Sequence, residues 1–206
     1  MKHPIVISSL LLATLATSTL SGCAAVLLGG AALGTTAVAD RRTAGAQADD
    51  QVIELRVKNN ALAYLNHNTT VAGFTPQLSV VSYNRRILLL GQVATETEKQ
   101  FVEQVARSEQ AAEAIYNYIE IAPQARTIGS VSADTWNTTK VRTALLGIQG
   151  LYPGRVKIVT YEGVTYILGI LTPEEQNVVT QQVRTTAGVQ KVITLYQNYT
   201  PTTSNP

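Results

Sequence analysis

Thr165-Tyr166-Ile167-Leu168-Gly169, followed after two intervening residues by Thr172-Pro173-Glu174-Glu175, decides the fold, because the chain contains a closely similar pattern twice. The earlier copy reads Ile87-Leu88-Leu89-Leu90-Gly91 and then Thr95-Glu96-Thr97-Glu98. A short apolar run that ends in glycine predicts a buried strand. Threonine with glutamate three residues later predicts a capping box at the start of a helix, and Pro173 suits the first helical position. The pattern therefore predicts a strand followed by a helix, twice.

The same repeat extends outward from both copies. Each copy reads as a helix, two strands joined by a turn, the capped helix and a closing strand, with Asp50 and Asp134 predicted to cap the first helices. The predicted ranges are 51–65, 77–83, 87–90 and 114–121 in the first copy, and 135–148, 156–160, 164–168 and 191–199 in the second. Two copies suit tandem small domains better than a solenoid, which needs at least three repeats. The sequence thus predicts an α+β fold with two αββαβ domains.

The N-terminus carries a separate signal. Met1-Lys2 is followed by an uncharged apolar run from Ile5 to Leu20, which is typical of a secretory signal. Leu20-Ser21-Gly22-Cys23 then resembles the lipobox of bacterial lipoproteins, in which the cysteine becomes the N-terminus and carries a diacylglycerol and an N-acyl chain. Cys23 is the only cysteine, so an internal disulfide is excluded. The alternative is a soluble secreted protein with a stray cysteine.

Lipidation at Cys23 would place the chain outside the cytoplasm. Ala24 follows the cysteine, where retention in the inner membrane usually reads aspartate, so we expect the outer membrane, facing the periplasm. The uncharged stretch 24–39 is shorter than the ~20 residues that span a bilayer, and is interpreted as a tether rather than a membrane helix. The predicted organisation is a signal peptide 1–22, a tether 23–48, a first domain 49–122, a linker 123–133, a second domain 134–200 and a tail 201–206.

Composition argues against several function classes. The formal charge of +2 is too small to indicate a nucleic-acid binder. The two histidines are His3, in the signal, and His67, in a polar stretch, so no nucleophile–base pair or metal spacing can be assembled. We expect a protein without enzymatic activity and without a metal or dissociable cofactor.

The two copies have opposite charge. Residues 49–121 carry six basic and nine acidic side chains, a net charge of −3. Residues 135–200 carry six basic and three acidic side chains, a net charge of +3. This asymmetry indicates different partners for the two domains.

The single tryptophan, Trp136, lies on the first helix of the basic copy. At 100° per residue, one face of this helix gathers the predicted core residues Val141, Ala144, Leu145 and Ile148. Another face gathers Trp136, Thr139, Lys140, Thr143 and Gly147. Trp136 is therefore predicted to point away from its own core. An indole beside a lysine suits a bilayer interface, but it equally suits packing against the linker or the first copy.

Several of these features resemble the BON domain, a small periplasmic module with two helices on a three-stranded mixed sheet. The resemblance rests on the αββαβ order, on Val189-Gln190-Lys191-Val192-Ile193-Thr194-Leu195, and on Asp134-Thr135-Trp136-Asn137-Thr138-Thr139-Lys140-Val141-Arg142. With the lipobox, the chain resembles outer-membrane lipoproteins that have two BON domains. In that group the first helix of the second domain binds anionic phospholipid, such as phosphatidylglycerol or cardiolipin. Carried over residue by residue, the resemblance implies a site at Trp136, Lys140, Val141, Arg142 and Leu146.

Two hypotheses follow from these features. The first is a non-enzymatic outer-membrane lipoprotein whose second domain binds anionic phospholipid and supports envelope integrity. The second is an adaptor for outer-membrane assembly or septal cell-wall machinery, with lipidation as its only membrane contact. Tyrosines of the closing strands could form a protein-binding face or half-buried cross-strand pairs: Tyr116, Tyr118, Tyr196 and Tyr199.

Overall fold

The computed structural model describes residues 40–68, 71–122 and 124–201. The predicted signal, Cys23 and the stretch 24–39 lie outside the described residues. The elements in chain order are α1 (Ala44–Asn68), β1 (Gln77–Tyr83), β2 (Arg86–Val93), α2 (Glu96–Arg107), β3 (Ala114–Ile121), α3 (Ile128–Leu146), a 3₁₀ turn (Pro153–Arg155), β4 (Val156–Tyr161), β5 (Val164–Leu171), α4 (Pro173–Arg184) and β6 (Lys191–Asn198).

Each domain has one three-stranded mixed sheet and two helices. In the first domain β1 pairs antiparallel with β2, and β2 pairs parallel with β3. In the second domain β4, β5 and β6 repeat this arrangement. The predicted α+β class and the αββαβ order are therefore confirmed.

The two predicted capping boxes are also present. The Thr95 hydroxyl accepts from the backbone N–H of Glu98, whose carboxylate accepts from the backbone N–H of Thr95. Thr172 and Glu175 do the same at α4, with Pro173 as its first residue. These reciprocal bonds satisfy N–H groups that the helix itself leaves unpaired.

The first helix of each domain begins seven residues earlier than predicted. α1 begins at Ala44 after Thr43, whose hydroxyl accepts from the Ala46 N–H, and α3 begins at Ile128 after its N-cap Thr127. The predicted N-caps Asp50 and Asp134 are wrong, because both lie inside helices and are buried. Residues 44–48 of the predicted tether and 128–133 of the predicted linker are helical.

The two sheets pack face to face, with the helices on their outer faces. Alternate residues of β2 point to opposite sides, so Ile87 and Leu89 pack on α1 and α2, while Leu88 and Leu90 pack against the second sheet. Leu168 of β5 lies in the same central layer. Because both faces of each sheet are buried, the runs Ile87–Leu90 of β2 and Tyr166–Leu171 of β5 are continuously apolar rather than alternating.

The four tyrosines of the closing strands pack against these cores. Tyr116, Tyr118 and Tyr199 pack partly buried in the layer between the sheets, and Tyr196 packs in the core of the second domain. The rings of Tyr118 and Tyr166 meet edge to face, with centroids 5.1 Å apart across the two domains. Tyr116, Tyr118 and Tyr199 therefore contribute to packing between the domains, and none of the four forms an exposed protein-binding face.

Candidate membrane-binding site

The candidate site is the outward face of α3, which runs over 19 residues of the second domain. Only one of those residues is acidic, Asp134, and its side chain is buried. The exposed part of the helix therefore presents apolar, hydroxyl and basic side chains.

Three of the five predicted site residues lie on this exposed face. Trp136 is 64% exposed and Leu146 is 65% exposed, both high values for large apolar side chains. Arg142 is also exposed, and its Nη2 donates to the carbonyl of Ile158 at 3.0 Å. The prediction that Trp136 points away from its own core is confirmed, and its exposure rules out a buried plug between the domains.

The fourth predicted residue, Lys140, is half-buried beside a turn of its own domain. Its ammonium donates to the carbonyl of Ala187, and Asn137 donates to the carbonyl of Gly188 at 3.0 Å. A side chain at position 188 would lie 2.4 Å from Asn137 Oδ1 and 2.7 Å from Lys140 Nζ, and φ there is +95°. Glycine is therefore required at the point where α3 meets this turn.

The fifth predicted residue, Val141, does not lie on the surface. It is 0% exposed and packs with Leu145, Ile167 and Val179 in the core of the second domain. The helix must bury this side chain to attach to the sheet. Val141 therefore fixes α3 to the core of the domain, and it cannot contact a bilayer while the domain stays folded.

The early start of α3 adds two exposed apolar residues that the sequence interpretation assigned to a linker. Ile128 is 87% exposed, and Val131 is exposed one turn later. At 1.5 Å per residue, Ile128 and Leu146 are about 27 Å apart along the helix. The threonine cap at Thr127, which recurs 84 residues after Thr43, is the sequence signal that could have revealed them.

A buried ion pair fixes α3 to the β4–β5 turn. Asp134 accepts from the backbone N–H groups of Glu162 at 2.7 Å and Gly163 at 2.9 Å. Arg126 forms an ion pair with Asp134 and stacks over the ring of Tyr161 at 4.0 Å. Burial raises the pKa of Tyr161 to about 12, so this phenol stays neutral at physiological pH.

Arg41 ties the segment before α1 to the second domain. Its Nη2 donates to Glu175 Oε1 at 3.0 Å, its Nη1 donates to the Ile170 carbonyl at 2.8 Å, and its guanidinium lies 3.8 Å from the ring centre of Tyr199. Burial raises the pKa of Glu175, but the hydrogen bonds from Arg41 and Thr172 and the nearby cations outweigh it and hold that pKa below its ordinary value.

Oppositely charged side chains of the two copies form an ion pair between the domains. Lys157 of β4 pairs with Glu54 of α1 and donates to the Ser82 carbonyl at 3.0 Å. Tyr83 donates to the carbonyl of Gly154 at 2.9 Å. The charge asymmetry therefore serves domain packing as well as the exposed surfaces.

Within the described ranges 40–68, 71–122 and 124–201, no helix is both long and apolar enough to cross a membrane. Nor do these ranges bring together three or more histidine, cysteine, aspartate or glutamate side chains that could hold a metal ion.

The repeat and its topology agree with a protein family. The family model of the BON domain matches residues 49–123 and 133–195, and the chain belongs to this family. The family is generally non-enzymatic. The chain is similar to the outer membrane lipoprotein DolP of Haemophilus influenzae, with 29% identity over 182 residues that cover 88% of this chain and 91% of the relative.

Other similarities are less extensive. A 21 kDa hemolysin of Actinobacillus pleuropneumoniae is 31% identical over 154 residues, covering 75% of this chain and 76% of the relative. A solved structure of CdsD, a structural protein of the type III secretion system of Chlamydia trachomatis, covers 69% of this chain and 92% of that chain, with 8% identity and a TM-score of 0.29.

Proposed function

We propose that this protein is a lipoprotein anchored at Cys23 in the outer membrane, and that the exposed face of α3 lies on the anionic bilayer. In this proposal the protein faces the periplasm and supports envelope integrity without catalysis. The observation that carries it is the exposure of Ile128, Trp136 and Leu146 along one helix whose only acidic side chain is buried.

The energetics suit a helix that lies in the headgroup region. Full burial of a large apolar side chain contributes about 1.5–3 kcal/mol, and a helix of this kind inserts only its exposed edge. Each basic residue near an anionic surface adds about 1 kcal/mol, which here concerns Arg142 and, more weakly, the half-buried Lys140. An acyl anchor would raise the effective concentration of the bilayer, so these modest contributions would suffice.

The proposal is tested with the chain Ala24–Pro206, made without residues 1–23. A shorter form that begins at Asp49 would lose Arg41, Arg42 and the first turn of α1, which contact the folded domains. Trp136→Glu should abolish co-sedimentation with phosphatidylglycerol vesicles. Unchanged binding of this variant would mean that α3 is not the lipid-binding face.

The first domain offers a matched control. Val52 of α1 is exposed and corresponds to Trp136 at the repeat offset of 84 residues. Val52→Glu places the same charge on the equivalent helix of the acidic domain. It should leave vesicle binding unchanged, whereas equal loss in both variants would indicate a non-specific effect of added negative charge.

A second candidate function rests on that equivalent face. Val52 and Leu55 are both exposed on α1, in a domain whose net negative charge disfavours anionic lipid. In this case the chain would be an adaptor for outer-membrane assembly or septal machinery. It predicts that the soluble chain ignores vesicles, and that a photocrosslinker at Leu55, but not at Thr139, attaches to one specific envelope protein.

A further inference from the structure

A groove of about 450 Å³ opens beside the C-terminal half of α3. Its other wall is formed by the 3₁₀ turn and by β4, an edge strand of the second sheet. The floor consists of the buried side chains of Leu145, Leu151 and Ile158. This volume is in the range of roughly 300–1,000 Å³ that small-molecule pockets occupy.

The rim of the groove is basic, and none of its lining residues is acidic. Lys157 is already paired with Glu54 of the first domain. Arg142 is exposed, and its bond to the Ile158 carbonyl holds the guanidinium at the edge of the groove. A planar guanidinium can donate two parallel hydrogen bonds to a phosphate.

The two domains differ at this point. Tyr152, which precedes the 3₁₀ turn, is half exposed and stacks on Arg155, 4.6 Å from its ring centre. At the repeat offset of 78 residues the first domain has Phe74, which is buried. The aromatic side chain therefore turns outward in the domain that carries the groove.

The groove also lies near Asp40, the first residue that the structure describes. A side chain at Gly154 would lie 3.4 Å from Cβ of Asp40, the first described residue, and Pro153 lines the groove. The first described residue of the chain therefore lies close to the 3₁₀ turn that forms one wall of the groove.

We propose that this groove accepts one acyl chain of a phospholipid, with the phosphate held by Arg142. An apolar floor, a basic rim and the absence of acidic lining match an anionic amphiphile better than a purely polar ligand. The inference rests on the proposed function, since the same helix presents Trp136 to the bilayer. The exposed face of α3 would contact many lipid molecules, whereas the groove would bind a single one.

The test uses lysophosphatidylglycerol below its critical micelle concentration and the chain Ala24–Pro206. Titration followed by amide NMR should show saturable binding, with shifts at Leu145, Leu151 and Ile158. Thr143→Phe fills the groove from an exposed position of its rim and should weaken binding about tenfold or more. Arg142→Gln should weaken it by a similar factor, whereas Arg184→Gln, on exposed α4 surface, should change it less than about twofold.

Three results would overturn the groove proposal alone. The first is unchanged affinity in Thr143→Phe, and the second is shifts confined to the surroundings of Trp136, in each case while the wild-type chain still binds anionic vesicles. The third is binding by a chain that begins at Asp40 but not by one that begins at Ala24, which would mean that residues 24–39 occupy the groove. Failure of the wild-type chain to bind vesicles at all would instead overturn the proposed function.

Discussion

Asp50 of α1 and Asp134 of α3 hold the same position in the two domains, and each carboxylate accepts hydrogen bonds from two consecutive backbone N–H groups of a β-turn. Asp50 binds Asn84 and Arg85 at 2.8 and 2.7 Å, as Asp134 binds the turn between β4 and β5. Each aspartate also pairs with an arginine that stacks on a tyrosine ring: Arg42 on Tyr83 and Arg126 on Tyr161. This repeated contact attaches the first helix of each domain to its sheet.

Loss of this contact should destabilise the second domain. Asp134→Ala removes the acceptor of two turn N–H groups and leaves Arg126 without its buried partner. We expect the free energy of unfolding to fall by about 2–4 kcal/mol, measured by urea denaturation. Ser132→Ala, an exposed change on the same helix, is the control. A loss below about 0.5 kcal/mol for Asp134→Ala would show that the turn is held by other contacts.

The Arg41–Glu175 pair should make stability depend on pH in the acidic range. Because the pKa of Glu175 is lower in the folded state than its ordinary value of 4.5, the pair stabilises the fold above that value and is lost as the pH falls through the folded pKa. Glu175→Gln removes this contribution. The stability difference between wild type and variant should be largest near neutral pH and should shrink on acidification. A difference that does not change between neutral and acidic pH would contradict this role.

The central layer between the sheets should make the two domains unfold together. Leu168 is buried in that layer beside Leu88 and Leu90 of the first domain. Leu168→Ala should cost about 2–5 kcal/mol and should lower hydrogen-exchange protection in α1 as well as in α4. The exposed Leu146→Ala serves as the control. Loss of protection only in the second domain would mean that the sheets are energetically independent.

Substitutions of Trp136 and Val141 should affect different properties, vesicle affinity in the first case and stability in the second. Trp136→Ala changes an exposed side chain, so stability should change by less than about 0.5 kcal/mol while affinity for anionic vesicles falls. Val141→Ala opens a cavity in the core and should cost about 1–3 kcal/mol, with vesicle affinity unchanged under conditions where the variant is folded. Thermal unfolding and vesicle co-sedimentation of both variants check the pair. Reduced affinity in folded Val141→Ala would show that its side chain reaches the lipid.

Local patterns predicted most of the fold because they act over a few residues. The capping boxes at Thr95 and Thr172 and the strand runs around Leu89 and Ile167 are short-range signals, and the structure has each of them. Asp50 and Asp134 misled the interpretation because an aspartate before an apolar helical pattern resembles an N-cap. Their carboxylates instead bind turns about 30 residues away, which local sequence does not reveal.

The arrangement of the domains could not be predicted for a similar reason. The run Ile87–Leu90 indicates burial on both faces of the sheet, but it does not say what covers the second face. The candidate site was predicted in part. Periodicity placed Trp136 outside the core and Val141 inside it, whereas Ile128 was missed because the helix was predicted to start too late.

The central claim is that the exposed face of α3 lies on an anionic bilayer, and Trp136 is the only tryptophan in the chain. Its fluorescence therefore reports on that face without labelling. We would titrate the chain Ala24–Pro206 with phosphatidylglycerol vesicles and, at matched salt, with zwitterionic vesicles. A blue shift with the anionic vesicles alone, weakened by added salt, is the predicted result. No shift with either kind of vesicle would contradict a lipid role for Trp136 and would favour a protein partner.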